Sequence, residues 1–140
     1  MYRYKVWVTR VVDGDTVDVD IDLGFGMTYK KQRVRMVGID TPESRTRDLE
    51  EKFYGKASKN FLKDLLEKYK DDIQLVSHDK GKFGRILGEL FIGSYKVSVN
   101  QQMINHSHAV EYNGENKDLV EQQHLKNREI LKSQGLVYIK

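Results

Sequence analysis

Three carboxylates and two arginines, Asp15, Asp40, Glu43, Arg35 and Arg85, stand where the chain enters or leaves an extended segment. Asp15 follows the Asp13-Gly14 turn and shares parity with Val17, Val19 and Ile21, the apolar half of a strictly alternating stretch. It therefore leans inward at a strand end, where an unpaired carboxylate is costly and calls for a cation or a set of donors. Asp18, Asp20 and Asp22 have the opposite parity and read as solvated strand charges. Asp13 reads as a turn residue making an Asx-type bond. In Asp40-Thr41-Pro42-Glu43 two carboxylates flank the sole proline. Proline biases Thr41 away from helix, so the Thr41 carbonyl and the Asp40 carboxylate can point one way. The same string also reads as a helix start, with Thr41 as cap.

Gathered together, these groups suit the hydrolysis of a phosphodiester. Guanidinium forks match the charged equatorial oxygens of a five-coordinate phosphorus, as Arg35 and Arg85 would. Asp15, Asp40 and the Thr41 carbonyl form an oxygen-only donor set, selective for a hard divalent cation. Glu43, held back from such an ion, can orient water and take its proton. With any one part missing, the rest is an ordinary salt-bridge network.

The elements that must position these groups follow from periodicity. Val6 to Val12, Val17 to Leu23 and Tyr29 to Ile39 read as a three-stranded meander with turns at Asp13-Gly14 and Gly24-Phe25-Gly26. Arg33 and Arg35 share parity with Val37 and Ile39, aiming Arg35 inward or at the barrel end. A helix spans about Asp48 to Tyr69, short strands cover Ile73 to Val76 and Arg85 to Ile92, and helices cover Val97 to Ile104 and Lys117 to Ser133. Short strands with glycine bends favour a closed barrel over an open parallel sheet. The expectation is an α+β fold, a five-stranded OB-type β-barrel with three α-helices, in a single domain over residues 1–140. His78, His106, His108 and His124 are scattered over a strand end and two helices and read as neither metal ligands nor catalysts.

The chain has 140 residues and a net charge of +3 from 24 basic and 21 acidic residues, mixed along its length. A broad basic coat is disfavoured and a local phosphate site is what remains. With no cysteine, zinc-thiolate sites, disulfides and thiol nucleophiles are excluded. No apolar run nears the ~20 residues of a membrane span, so no membrane partner is expected. The N-terminus lacks the apolar run of a signal peptide, which points to an intracellular protein if Met1 is the native start and a secreted one if a leader was removed.

Four motifs in order resemble the staphylococcal nuclease (thermonuclease) family over nearly the whole chain. They are Val12-Asp13-Gly14-Asp15-Thr16, Arg35 to Glu43, Tyr54-Gly55-Lys56-Ala57-Ser58 and Lys82-Phe83-Gly84-Arg85, with Glu121 to Leu125 resembling the C-terminal helix. The resemblance implies a calcium-dependent endonuclease that cleaves DNA and RNA, single-stranded or locally opened, to 3′-phosphates; a monomer is the default expectation. It implies Asp15, Asp40 and the Thr41 carbonyl as calcium ligands, Glu43 as general base and Arg35 and Arg85 as the phosphate clamp. Lys82 and Tyr112 would help bind substrate. Two departures stand out: Phe83 where the family often has tyrosine, and Gly114 near a second tyrosine that stacks on a base. The first loses a hydrogen bond of ~0.5–1.5 kcal/mol, the second a stacking platform of ~1–3 kcal/mol. Weaker mononucleotide binding is expected, with the chemistry intact. The rival reading is a non-catalytic OB-fold module that binds nucleic acid or acts as a scaffold; the completeness of the five charged positions argues against it.

Overall fold

The computed structural model describes residues 2–80, 84–114 and 116–139. β1 (Arg3–Asp13), β2 (Thr16–Gly24) and β3 (Met27–Met36) form the meander, followed by the two-residue β4 (Ile39–Asp40) and helix α1 (Leu49–Lys68). Then come β5 (Ile73–Lys80), β6 (Ile86–Ile92), α2 (Val99–Asn105), β7 (Val110–Glu111) and α3 (Lys117–Ser133). The long strands close a barrel in the order β1-β2-β3-β6-β5, the α+β architecture expected from the sequence. All its pairings are antiparallel except β3–β6, which is parallel.

Alternation does the folding work in β2. Val17, Val19 and Ile21 are buried, while Asp18 on the other face takes a two-point ion pair from Arg33, at 2.8 and 3.2 Å. α1 begins at Asp48, whose Oδ1 accepts the N–H groups of Glu50 and Glu51, and sends Leu62 and Leu66 into the barrel core. Asn100 at the start of α2 joins β6 to the segment just past β3: its Oδ1 accepts the Leu90 N–H, and its Nδ2 donates to the Val37 and Gly88 carbonyls.

Three boundaries differ from the sequence reading. The third strand stops at Met36, because Gly38 adopts φ +78° and reverses the parity before β4. Val34 and Met36 therefore face the core, and Arg35 lies on the opposite face. β5 continues past Val76 to Lys80, kept in register with β6 by a bulge between Ser77 and Asp79. His106 and His108 are not on a helix. His106 caps α2, Ser107 at φ +63° turns the chain back, and both rings pack on Phe61 at 4.9 and 4.6 Å.

Burial, then the neighbouring His106, lowers His108 from 6.5 to about 4. Between those values the unfolded chain binds a proton that the folded chain refuses, so stability falls as pH drops through this window. After discounting for the exposed edge of the ring, the loss is ~1–2 kcal/mol. Thermal unfolding at pH 6.5 and 4.5 should show the wild type losing more stability than His108→Gln, by ~1 kcal/mol. Parallel losses in the two proteins would contradict this assignment.

Candidate active site

Segments distant in sequence converge at one mouth of the barrel, and Arg35 is the point where they meet. At the end of β3 its Nη1 donates to the Met36 carbonyl (2.7 Å) and its Nη2 to the Ile39 carbonyl (2.9 Å). The same Nη2 lies 3.4 Å from Asp15 Oδ2 and 3.8 Å from Asp40 Oδ1. Asp15, only 9% exposed, takes the Thr16 hydroxyl on Oδ1 (2.9 Å) and the Thr41 N–H on Oδ2 (3.3 Å). The inward parity of Asp15 and its need for donors are thus both met.

Asp40 is set by the β4–β7 ladder, in which it pairs with Val110. Its Oδ2 accepts a hydrogen bond of 2.8 Å from His124 Nε2, leaving Oδ1 turned to Arg35. His124, read from the sequence as neither metal ligand nor catalyst, is here a hydrogen-bond partner of Asp40, a contact the sequence reading did not include. The available signal was its helical spacing: His124, Arg128 and Leu131 are the buried residues of α3. Arg128 adds a tie between helices, pairing with Glu50 at 3.3 Å and lying over the Tyr54 ring.

Glu43 sits beside this centre. Its N–H donates to Glu51 Oε2 (3.0 Å), and the hydroxyl of the next residue, Ser44, donates to Asp13 Oδ1. Asp13 therefore ties the β1–β2 turn to the loop after Glu43, in place of the local turn bond expected of it. Partial burial, followed by the charges of Asp13, Asp15, Glu51 and Asp40, raises the Glu43 carboxyl above the usual glutamate range. Tyr112, fixed by its N–H to the Gly38 carbonyl (2.9 Å), lines a cleft of about 260 Å³ together with Asp40, Thr41, Glu43, Lys117 and His124. Gly114 follows at φ +87° with open space around it, so no aromatic ring stands there.

Arg85 immediately precedes β6, where Ile86 pairs with Val34 and Leu87 with Arg35. The ladder sets it on the strand next to Arg35, on the same outward parity. Its Nε is buried with no hydrogen-bond partner among the described residues. Arg35 is largely committed to protein carbonyls and carboxylates, whereas Arg85 keeps donors for something else. Lys82 and Phe83 lie outside the described residues.

The donor set fits a hard cation. Asp15 and Asp40 both lie within 3.8 Å of a single guanidinium nitrogen; burial and then four neighbouring carboxylates raise the proton affinity of Glu43, and a cation relieves that repulsion. Among the described residues no three acidic or histidine side chains enclose a metal by themselves. Two carboxylates and a carbonyl would leave positions for water and substrate oxygens, as calcium's 6–8 oxygen ligands require.

Helix α1 fixes the Glu43 backbone by direct contact. A Cβ on Gly55 would lie 2.2 Å from the Glu43 carbonyl oxygen, and both partners are backbone. Gly55→Ala should lower stability by ~1–3 kcal/mol and shift the Glu43 and Ser44 amide resonances. Asn60→Ala, on the exposed face of the same helix, should stay within ~0.5 kcal/mol of wild type. Unchanged stability and resonances in Gly55→Ala would contradict the contact.

A family model described as "Staphylococcal nuclease homologue" matches residues 33–134. The thermonuclease of Staphylococcus intermedius is 35% identical over 92 residues, covering 66% of this chain and 51% of that protein. The thermonuclease of Staphylococcus hyicus is 37% identical over 90 residues, covering 64% and 48%. The micrococcal nuclease of Shigella flexneri is 30% identical over 84 residues, covering 60% and 40%. The chain spans about half the length of the curated relatives it matches. Barrel topology, the charged groups gathered at its mouth and the extent of the match agree: the chain belongs to the staphylococcal nuclease family.

Proposed function

We propose that this protein is a calcium-dependent endonuclease that hydrolyses phosphodiester bonds of DNA and RNA and leaves 3′-phosphates. The relatives named thermonuclease and micrococcal nuclease support the reaction class. The observation that carries the reading is the approach of Asp15 and Asp40 to one Arg35 nitrogen, with the Glu43 carboxyl held close enough to feel both charges.

Asp15, Asp40 and the Thr41 carbonyl are the groups that would hold calcium. When bound there, the ion supplies polarisation of a phosphoryl oxygen and neutralisation of charge on the leaving oxygen. Glu43, beside the carboxylates that would hold the ion, orients the attacking water and takes its proton. The P–O5′ bond breaks, the 5′-oxygen leaves and takes up a proton from solvent water, and the phosphate stays on the 3′ side. Arg85, with its buried and unpartnered Nε, donates to the equatorial oxygens as their charge grows. Arg35 contributes positive charge at the same place while pairing with both carboxylates. Tyr112 contacts substrate from the cleft wall, and Lys82, three residues before Arg85 in the sequence, is assigned the same role by the family resemblance alone. His124 holds Asp40 in orientation through the oxygen that faces away from Arg35.

Single-stranded DNA incubated with the protein should be cleaved in calcium and left intact in chelator. Glu43→Gln and Arg85→Ala should each lower kcat by at least about a hundredfold, with unchanged thermal unfolding. The fragments should need phosphatase treatment before a polymerase can extend them. Absence of calcium-dependent cleavage, or full activity in both variants, would overturn the proposal.

A further inference from the structure

The loop after Glu43 and the first half of α1 carry Arg45, Arg47, Lys52, Lys56 and Lys59 along one open groove of about 440 Å³. None of the five makes an ion pair among the described residues. The carboxylates of the same stretch are engaged elsewhere. Asp48 caps α1, Glu50 meets Arg128, Glu51 accepts the Glu43 N–H, and Glu43 itself lines the cleft. For a chain whose net charge is only +3, this is a strong local concentration of unneutralised cations.

Their spacing is directional. Lys52, Lys56 and Lys59 recur at intervals of four and three residues, which places them on one helix face over roughly 10 Å of axis. The groove also adjoins the candidate active site. It starts at Ser44, one residue past Glu43 and bonded to Asp13, and the helix behind it abuts the Glu43 carbonyl at Gly55. Among the described residues no aromatic lines it, so they give it no stacking platform on which to read bases. A row of cations without aromatics, opening onto a phosphodiester-cleaving centre, matches a phosphate backbone rather than a nucleobase.

We propose that this groove binds the phosphate backbone of the substrate strand beyond the linkage being cut. The protein then prefers long strands to short ones, without regard to sequence along that segment. The inference rests on the nuclease reading for the direction of the strand, and on the cation pattern alone for the binding itself.

The test is fluorescence anisotropy in chelator, so that nothing is cleaved, with labelled oligothymidylates of about twenty and about three nucleotides. In the Lys52→Gln/Lys56→Gln/Lys59→Gln protein, affinity for the longer probe should fall by roughly tenfold or more at low salt. The slope of log affinity against log salt should flatten by about 2, since each lost phosphate contact is worth ~0.7. Affinity for the short probe should change by less than about twofold. An unchanged salt slope and affinity for the longer probe, or equal losses for both lengths, would overturn the proposal. Cleavage in calcium is measured separately on the wild type. Failure to cleave together with length-dependent binding sinks the nuclease reading and leaves the groove; cleavage without length-dependent binding does the reverse.

Discussion

The site depends on one guanidinium. Arg35 is the cation that lets two carboxylates and two backbone carbonyls from separate segments lie side by side. Asp15 is almost entirely out of water, and without a positive neighbour it would bear a desolvation cost of several kcal/mol. The arginine side chain itself is only 19% exposed, so the attraction is weakly screened. Removing one partner of such a cluster costs far more than the cluster contributes as a whole, because the remaining charges are left unpaired. The barrel mouth is therefore an assembled object: β3 presents the arginine, the β1–β2 turn presents Asp15, and β4 presents Asp40.

The surrounding elements hold that object from behind. α3 reaches Asp40 through His124, and α1 presses Gly55 against the Glu43 backbone. Arg128 joins the two helices through Glu50 and the Tyr54 ring. Two kinds of surface flank the mouth, a cleft walled by Tyr112 and His124 and a cation-lined groove running along α1. On the proposed reading, this division lets a weakly basic chain engage a polyanion, because positive charge is concentrated along one path rather than spread over the molecule.

Much of this arrangement was legible in the sequence, for identifiable reasons. Strand alternation placed Asp15 on the inner face, and apolar spacing located α1 and α3 to within about a residue of their observed ends. Parity failed where a glycine broke it: counting through Gly38 put Arg35 in phase with Ile39, whereas its positive φ separates β3 from β4. β4 and β7 have two residues each, too few to carry a periodic signal, yet they set Asp40. Asp13 was misjudged, and the contact made by His124 was missed, because their partners, Ser44 and Asp40, lie 31 and 84 residues away. No local pattern reports such a pairing, although the lone histidine on the buried stripe of α3 was a usable hint.

The central claim, that Asp15 and Asp40 act together on one ion, is tested most directly by the effect of calcium on thermal unfolding. The midpoint of the wild type should rise with calcium concentration, since a ligand bound only by the folded state stabilises it. Asp15→Asn and Asp40→Asn should each abolish most of that rise, and the double variant should lose little more than either single one. A wild type indifferent to calcium, or single variants that keep the full rise, would contradict the account.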